Sequence, residues 1–266
     1  MKPALIDTHV HLDDCQFAPD RDEVIQRATD ESVTGMVVPA VCAVHWPRIQ
    51  HIAKAHPHIF PTIGLHPLYT AEHAKEHLQW METELARQRF VAIGECGLDT
   101  FLPDHNIELQ LEYFVAQLQL ARQYKLPVII HARKTVEQVI LLLRTHGPEK
   151  GVVHSYNGSL QQAHRLIDLG YSLGFGGPVT YPRARKLRTL VASLPMENMV
   201  LETDAPFQPV RNQSNARNEP ANIQSVLTTF SQLRKVPEAD VALASNQNAI
   251  RLFELAEQKL IGNPGQ

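Results

Sequence analysis

The sequence predicts an α/β protein, a single (β/α)8 TIM barrel with a metal site at the carboxyl ends of its strands. Eight short and nearly all apolar segments recur along the chain, as expected of parallel strands that are covered on both faces. Amphipathic helical stretches separate these segments, and 266 residues is a typical length for a barrel that folds as one unit. We therefore expect residues 1–266 to form one domain.

The predicted strands follow one another in the order 4–7, 35–40, 59–65, 90–95, 127–131, 151–154, 171–175 and 199–202. Apolar residues recur at helical spacing within 107–118, 136–143, 223–230 and 241–255. Thr135 with Gln138 and Ser159 with Gln162 have the spacing of capping boxes, and Gly170 stands where a helix should end. No glycine-rich loop follows the first strand, which argues against the main alternative, a doubly wound open sheet.

The composition excludes some classes of partner. A net charge of −3 is not that of a protein that binds duplex nucleic acid with its whole surface, so nucleic-acid contacts would be local. The three cysteines are an odd number without Cys-x-x-Cys spacing, which favours a reducing compartment. Since no long apolar run or signal peptide is visible either, we expect a cytoplasmic monomer that does not contact membranes.

Side chains that bind metals stand at the ends of six predicted strands, which a barrel brings together on its active-site face. They are Asp7, His9, His11, His66, Glu95, Asp99, His131, His154, Glu202 and Asp204. A lone His-x-His pair such as His9 and His11 occurs by chance, although alternation along an extended chain points both to the same side. The complete set predicts a metal centre, because burying so many polar groups is costly unless cations bind them.

Five or six ligands exceed the three that a catalytic Zn²⁺ takes, and they suit two ions that share a carboxylate and lie roughly 3.5–4 Å apart. Glu95 is the best candidate for the bridge, because its strand lies at the middle of the barrel. Asp204 is the best candidate for the base that deprotonates the nucleophilic water. Imidazole and carboxylate ligands tolerate several divalent ions, so the sequence leaves Zn²⁺, Mg²⁺, Mn²⁺ and Ni²⁺ open.

Seven motifs resemble the TatD family of metal-dependent deoxyribonucleases and related hydrolases, within the amidohydrolase superfamily. They are Asp-Thr-His-x-His-Leu-Asp at 7–13, Gly-Leu-His-Pro at 64–67, Gly-Glu-Cys-Gly-Leu-Asp at 94–99, Pro-Val-Ile-Ile-His-x-Arg at 127–133, Val-Val-His-x-Tyr-x-Gly-Ser at 152–159, Leu-Glu-Thr-Asp-Ala-Pro at 201–206 and Arg-Asn-Glu-Pro at 217–220. The chain departs from the family pattern at Ala132, Lys134 and 155–157, which line the expected cleft. The expected metal ligands are all retained.

The resemblance implies a first metal position bound by His9, His11, Glu95 and Asp204. It implies a second position bound by His131 and His154, to which Glu95 bridges. His66 and Arg133 match positions that face the substrate, and Asp99 matches one that orients a ligand imidazole. The implied activity is hydrolysis of phosphodiester bonds by a metal-activated water, most specifically as a deoxyribonuclease of 3′–5′ exonuclease type acting on DNA.

Two other functions fit the same residues: a two-metal hydrolase of a small phosphoester, amide or lactone, and a barrel that binds metal without catalysis. Against the second stands Asp204, a carboxylate beyond the needs of a closed structural site. Basic residues at 183–188 could guide a nucleic-acid strand with Tyr156 and Tyr181 as stacking rings, although a solvated helix face is the simpler interpretation. We expect Arg217 to anchor the polar loop 208–221 through Glu219 or a backbone carbonyl, and the remaining nine histidines to lie at the surface.

Overall fold

The computed structural model describes residues 2–103 and 106–255, and its described part contains eight parallel strands. They are β1 Leu5–Asp7, β2 Val33–Val38, β3 Ile59–Pro61, β4 Ile93–Asp99, β5 Val128–Arg133, β6 Gly151–Val153, β7 Tyr171–Phe175 and β8 Met199–Leu201. Neighbours in sequence pair in parallel within β1–β3 and within β4–β8. Parallel bridges from Ile63 to Ile93 and from Val10 to Ala205 link these two groups, so the strands form the closed ring of the predicted (β/α)8 barrel.

Nine α-helices lie within the described residues. They are α1 Arg21–Asp30, α2 Trp46–Ala55, α3 Lys75–Arg87, α4 Ile107–Tyr124, α5 Val136–His146, α6 Leu160–Asp168, α7 Arg185–Ser193, α8 Ile223–Arg234 and α9 Glu238–Phe253. The helices α1 to α8 each follow the strand of the same number, and α9 is additional. None of the described helices is long and apolar enough to cross a membrane.

One of the two predicted capping boxes is present. The Ser159 hydroxyl accepts from the Gln162 N–H at 3.1 Å and the Gln162 side chain accepts from the Ser159 N–H at 2.9 Å, which confirms the start of α6. The prediction at Thr135 is wrong, because its hydroxyl instead donates to the Leu98 carbonyl at 2.8 Å and joins the start of α5 to β4. Gly170 ends the turn after α6 with a φ of 90°.

Strand β4 extends beyond its predicted end at Glu95 and reaches Asp99. Gly94 and Gly97 adopt positive φ angles of 148° and 140°, and a Cβ on either would collide with the backbone of β5. The two strands therefore approach closely, and their register shifts between Ile93 and Cys96. This irregular stretch carries Glu95 into the centre of the barrel.

Apolar side chains from most strands fill the part of the barrel near the amino-terminal ends of the strands. Ile6, Val37, Ala92, Ile129, Val152 and Val200 form one cluster with the last turns of α9. Buried Asn246 of α9 accepts from the Ile6 N–H at 2.9 Å and donates to the Ala4 carbonyl at 2.8 Å, at the beginning of β1. Helix α9 therefore covers the amino-terminal end of the barrel, and the opposite end remains open for the site.

Candidate metal centre

Four side chains from three strand ends form a first group of donor atoms. His9 and His11 follow β1, Glu95 lies in β4 and Asp204 follows β8. The two Nε2 atoms of the histidines lie 3.2 Å apart. Glu95 Oε2 is 3.1 Å from His9 Nε2 and 3.5 Å from His11 Nε2, and Asp204 Oδ1 is 3.6 and 3.3 Å from the same two atoms. All four atoms thus surround one point.

The other carboxylate oxygen of Glu95 faces a second group of donor atoms. Oε1 lies 2.8 Å from His154 Nε2, 3.0 Å from His131 Nδ1 and 3.1 Å from His66 Nε2. His154 also stacks on His9 with a centroid distance of 3.9 Å, so the two groups are in direct contact as well as sharing a carboxylate. Glu95 is 2% exposed and lies between the groups.

The donor atoms fit metal ions in number, kind and spacing. Ligands at about 2.1 Å from one ion lie roughly 3.0–3.4 Å from each other, and the separations within both groups are close to this range. Imidazole nitrogens and carboxylate oxygens are ligands of Zn²⁺ and other divalent transition metals. Lone pairs that converge in this way repel one another unless a proton or a cation lies between them.

A carboxylate faces the outer nitrogen of two imidazoles in the second group, those of His131 and His154. Asp99 Oδ2 lies 2.8 Å from His131 Nε2, so that nitrogen carries a proton and Nδ1 directs its lone pair toward Glu95. Glu202 Oε1 faces His154 Nδ1 at 3.7 Å and accepts from the Ser155 N–H at 2.5 Å. It favours the tautomer of His154 in which Nε2 is free to bind a metal.

His66 has the opposite tautomer. Its Nδ1 accepts a hydrogen bond from the Leu68 N–H at 3.1 Å, so in the neutral ring Nε2 carries the proton. This N–H points toward the centre and donates to Glu95 Oε1. His66 therefore lies among the donor atoms at a ligand-like distance, yet it is arranged to donate a hydrogen bond and not to bind a metal.

The charges of the centre are strongly coupled. Burial alone would raise the pKa of Glu95, but the imidazoles of His154, His66 and His9 hold it well below its usual range. Burial lowers the pKa of His66 to about 4, which keeps its ring neutral. Burial also acts to lower the pKa of His11, but Asp204 and Glu95 raise it to about 9. The carboxylates thus stay ionised and attract cations.

Asp7 and Thr203 hold the first group in place. Asp7 Oδ1 accepts from the N–H groups of His9 and Thr203 at 3.2 and 3.0 Å, and its Oδ2 accepts from the Thr203 hydroxyl at 2.6 Å. The ends of β1 and β8 are joined through these bonds. Asp204 lies next to this junction with a φ of 56°, and its Oδ2 accepts from Gln208 Nε2 at 2.5 Å.

A cleft of about 1040 Å³ opens above the centre. Arg133 lies on its wall with an exposed side chain, and Lys134 lies next to it. Tyr156 is unsuitable as a stacking ring, because it is 1% exposed. Tyr181 is half-buried and lies outside the wall of this cleft, where its hydroxyl donates to the Pro209 carbonyl. The rings that project into the cleft are instead Phe101 and Phe207, which sequence reasoning missed.

The prediction that the other histidines lie at the surface holds only in part. His51 and His164 are exposed, whereas His56, His58, His73, His77 and His146 are half-buried. His45 lines the cleft with its Nδ1 3.0 Å from the buried Asp13 Oδ2. His105 falls outside the described residues. His45 could not be singled out from the sequence, because it lies in a short turn after β2 and belongs to no strand-end motif.

The family model described as TatD related DNase matches residues 6–254. The chain is 38% identical over 253 residues to the metal-dependent hydrolase YjjV of Escherichia coli (strain K12), covering 94% of this chain and 98% of that protein. The crystal structure of YjjV, a TatD homolog, matches with a TM-score of 0.92 over 95% of this chain and 98% of that one. The 3'-5' ssDNA/RNA exonuclease TatD of Pantoea sp. (strain At-9b) is 32% identical over 261 residues, 95% of this chain and 100% of that protein.

Proposed function

The chain belongs to the TatD family of related DNases and is a metal-dependent hydrolase, and from this premise we propose that it cleaves phosphodiester bonds as a deoxyribonuclease of 3′–5′ exonuclease type. The observation that carries the proposal is a single buried carboxylate, Glu95, whose two oxygens each face a separate group of metal-binding side chains. The Pantoea relative, a 3'-5' ssDNA/RNA exonuclease by name, supports the choice of substrate.

In this proposal the site holds two divalent ions. His9, His11, Glu95 and Asp204 would hold one, and Glu95, His131 and His154 would hold the other. Bound divalent cations lower the pKa of water and offset the negative charge of a phosphate. Asp99 keeps His131 in the tautomer that binds metal through Nδ1, and the charge of Glu202 favours the tautomer of His154 that binds through Nε2.

The chain's own groups supply the proton transfer and the recognition of phosphate. Asp204 accepts the proton of the attacking water, while Gln208 fixes its carboxylate through Oδ2. His66 would share its Nε2–H, which donates to Glu95 Oε1, with a phosphate oxygen at the floor of the cleft, and Arg133 offers a guanidinium on the wall, where its planar fork suits two phosphate oxygens. Neutral His66 binds an anion without adding a charge to the centre.

The test is cleavage of end-labelled single-stranded DNA by enzyme that has been stripped with a chelator and resupplied separately with Mg²⁺, Mn²⁺ or Zn²⁺. We expect metal-dependent release of nucleotides from the 3′ end. Asp204→Asn keeps the shape of the side chain and should lower the rate about a thousandfold. The matched control is Asp22→Asn, which neutralises a carboxylate on α1 that is 86% exposed.

Full activity of Asp204→Asn would refute the role of Asp204 as the base. If no metal supports cleavage of DNA, the nuclease proposal fails, and a panel of small phosphoesters, amides and lactones then identifies the bond that is hydrolysed. Cleavage within the strand, with no shortening from the 3′ end, would refute the exonucleolytic direction alone.

A further inference from the structure

Two exposed aromatic rings line the cleft, one near each donor group. Phe101 is 45% exposed and Phe207 is 44% exposed, and both contribute to the wall of the same cavity. Phe207 lies beside the first donor group and Phe101 beside the second. The other aromatic residues on the cleft wall, Tyr69, Tyr156 and Phe175, are half-buried or buried.

Phe207 is fixed relative to the first donor group. Its N–H donates to the Asp204 carbonyl at 2.8 Å, and its carbonyl accepts from the Nδ2 of Asn218 at 2.8 Å. Asn218 is fully buried and also donates to the Thr203 carbonyl at 3.0 Å. The ring lies edge-on to His11 with a centroid distance of 5.9 Å. Its backbone is thus held by the segment that carries Asp204.

Phe101 is fixed relative to the second donor group by one carboxylate. Asp99 Oδ1 accepts from the Phe101 N–H at 2.7 Å, and Asp99 Oδ2 lies 2.8 Å from His131 Nε2. The guanidinium of Arg133 lies 3.5 Å from the centroid of the ring, and the ammonium group of Lys134 lies 4.9 Å from it. Arg133 covers one face of the ring, so a base would stack on the other face, next to two positive charges.

We propose that Phe101 and Phe207 bind the two nucleobases on either side of the scissile phosphate, an inference that rests on the proposed function. Unpaired bases stack on aromatic side chains whatever their sequence, because every base has a π-face. A phosphate held between the two donor groups places one flanking base toward each ring. Arg133 and Lys134 then offset the negative charge of the phosphates that flank the base on Phe101.

This arrangement makes the enzyme selective for single strands. In a duplex the faces of the internal bases are covered by their neighbours and their edges are paired, so they are unavailable to rings on two walls of a cleft. The two phenylalanines carry no hydrogen-bonding groups, so they select for an unpaired base without selecting among the four bases.

The test compares single-stranded substrates of one sequence that carry a single abasic nucleotide at successive positions. Wild-type enzyme should lose about tenfold or more in kcat/KM when the missing base is next to the scissile bond, and little when it is farther away. In Phe207→Leu and in Phe101→Leu, kcat/KM on the intact strand should fall by a similar factor. In each variant, kcat/KM should fall no further when the substrate lacks the base that would stack on the replaced ring.

Phe207→Trp, which keeps an aromatic face, should keep the dependence of kcat/KM on the neighbouring base that Phe207→Leu loses. Leu141→Ala, at a leucine on α5 that is 59% exposed, is the matched control for removing surface apolar area. Bound metal is measured in every variant, because a merely structural loss would lower it. Cleavage by wild-type enzyme that is indifferent to missing bases overturns this inference alone, whereas failure to degrade any polynucleotide overturns the proposed function and the inference with it.

Discussion

Each histidine of the second donor group has one ring nitrogen that faces Glu95 and one that faces away from it. The hydrogen-bond partner of the nitrogen that faces away determines whether the histidine can bind a metal. An imidazole whose outer nitrogen donates to a carboxylate presents a lone pair inward and binds a metal, as at His131. An imidazole whose outer nitrogen accepts a backbone N–H presents a proton inward, as at His66. Residues at the same distance from Glu95 therefore receive different roles, which the distance alone would not distinguish.

We predict that His131→Gln and His66→Gln separate these roles. His131→Gln removes a ligand and should lose one of the two bound ions, together with activity. His66→Gln should keep its full metal content while kcat/KM on DNA falls about a hundredfold, because the donor to the substrate and to Glu95 is displaced but no metal ligand is removed. Metal analysis after dialysis measures the content, with exposed His164→Gln as the control. Loss of metal from His66→Gln would show that this residue is a ligand.

At the scale of elements, the loop from 208 to 221 is fastened to α1 and its preceding turn. Arg217 donates to both carboxylate oxygens of Asp20 at 2.7 Å, to Glu219 at 2.9 Å and to the Gln16 carbonyl at 2.6 Å. Arg27 of α1 donates to Glu219 from the other side at 2.8 and 2.9 Å. The predicted contacts of Arg217 with Glu219 and a carbonyl are confirmed, and Asp20 is an additional partner.

This network should make part of the stability depend on pH. The hydrogen bond from Arg217 lowers the pKa of Asp20, and the hydrogen bonds from Arg27 and Arg217 lower the pKa of Glu219 although burial acts to raise it. Groups with a lowered folded pKa stabilise the protein above their unfolded values, 3.8 and 4.5, and lose this contribution as the pH falls below them.

We therefore predict that Arg217→Gln lowers the Tm at pH 7 and that its difference from wild type shrinks as the pH falls from 5 to about 3. Thermal melts across this range measure the difference. Arg183→Gln, at an exposed arginine with no carboxylate partner among the described residues, is the control and should change little. A difference that stays constant or grows toward low pH would contradict the assignment.

At the scale of the whole molecule, the metal-binding side chains and the apolar cluster that stabilises the fold lie at opposite ends of the barrel. The donor groups lie where β1, β4, β5, β6 and β8 end, and the apolar cluster with α9 lies where the strands begin. The site end carries many buried polar groups, including Asp7, whose pKa burial raises to about 8. Such a site costs stability unless its charges are compensated.

We predict that removing the metals destabilises the entire fold. Ions that bind only the folded chain stabilise it by about 2.7 kcal/mol at a concentration of a hundred times their Kd, so a chelator should lower the Tm by roughly 5–10 °C. Readdition of Mn²⁺ or Zn²⁺ should restore it. Glu95→Gln, which weakens both ion positions, should show little response to chelator or metal. A Tm of the wild type that does not change on chelation would contradict this prediction.

The sequence by itself determined the order of strands and helices, the barrel and the family. The apolar strands and the polar residues that end them lie within a few positions of each other, so a linear pattern records them. The resemblance to the TatD family is confirmed by the match over residues 6–254. The structure brings His9, His11, Glu95, His131, His154 and Asp204 together, while their individual roles stay predictions.

Only the tertiary structure decided which groups act on one another across the barrel. The tautomers of His66 and His131 depend on Leu68 and Asp99, and the shared use of Asp99 by His131 and Phe101 depends on how β4 and β5 pair. The sequence also offered Tyr156 and Tyr181 as stacking rings, whereas the fold buries Tyr156, places Tyr181 outside the cleft wall and exposes Phe101 and Phe207. Burial and hydrogen-bond partners come from residues distant in the chain, and only their packing brings them into contact.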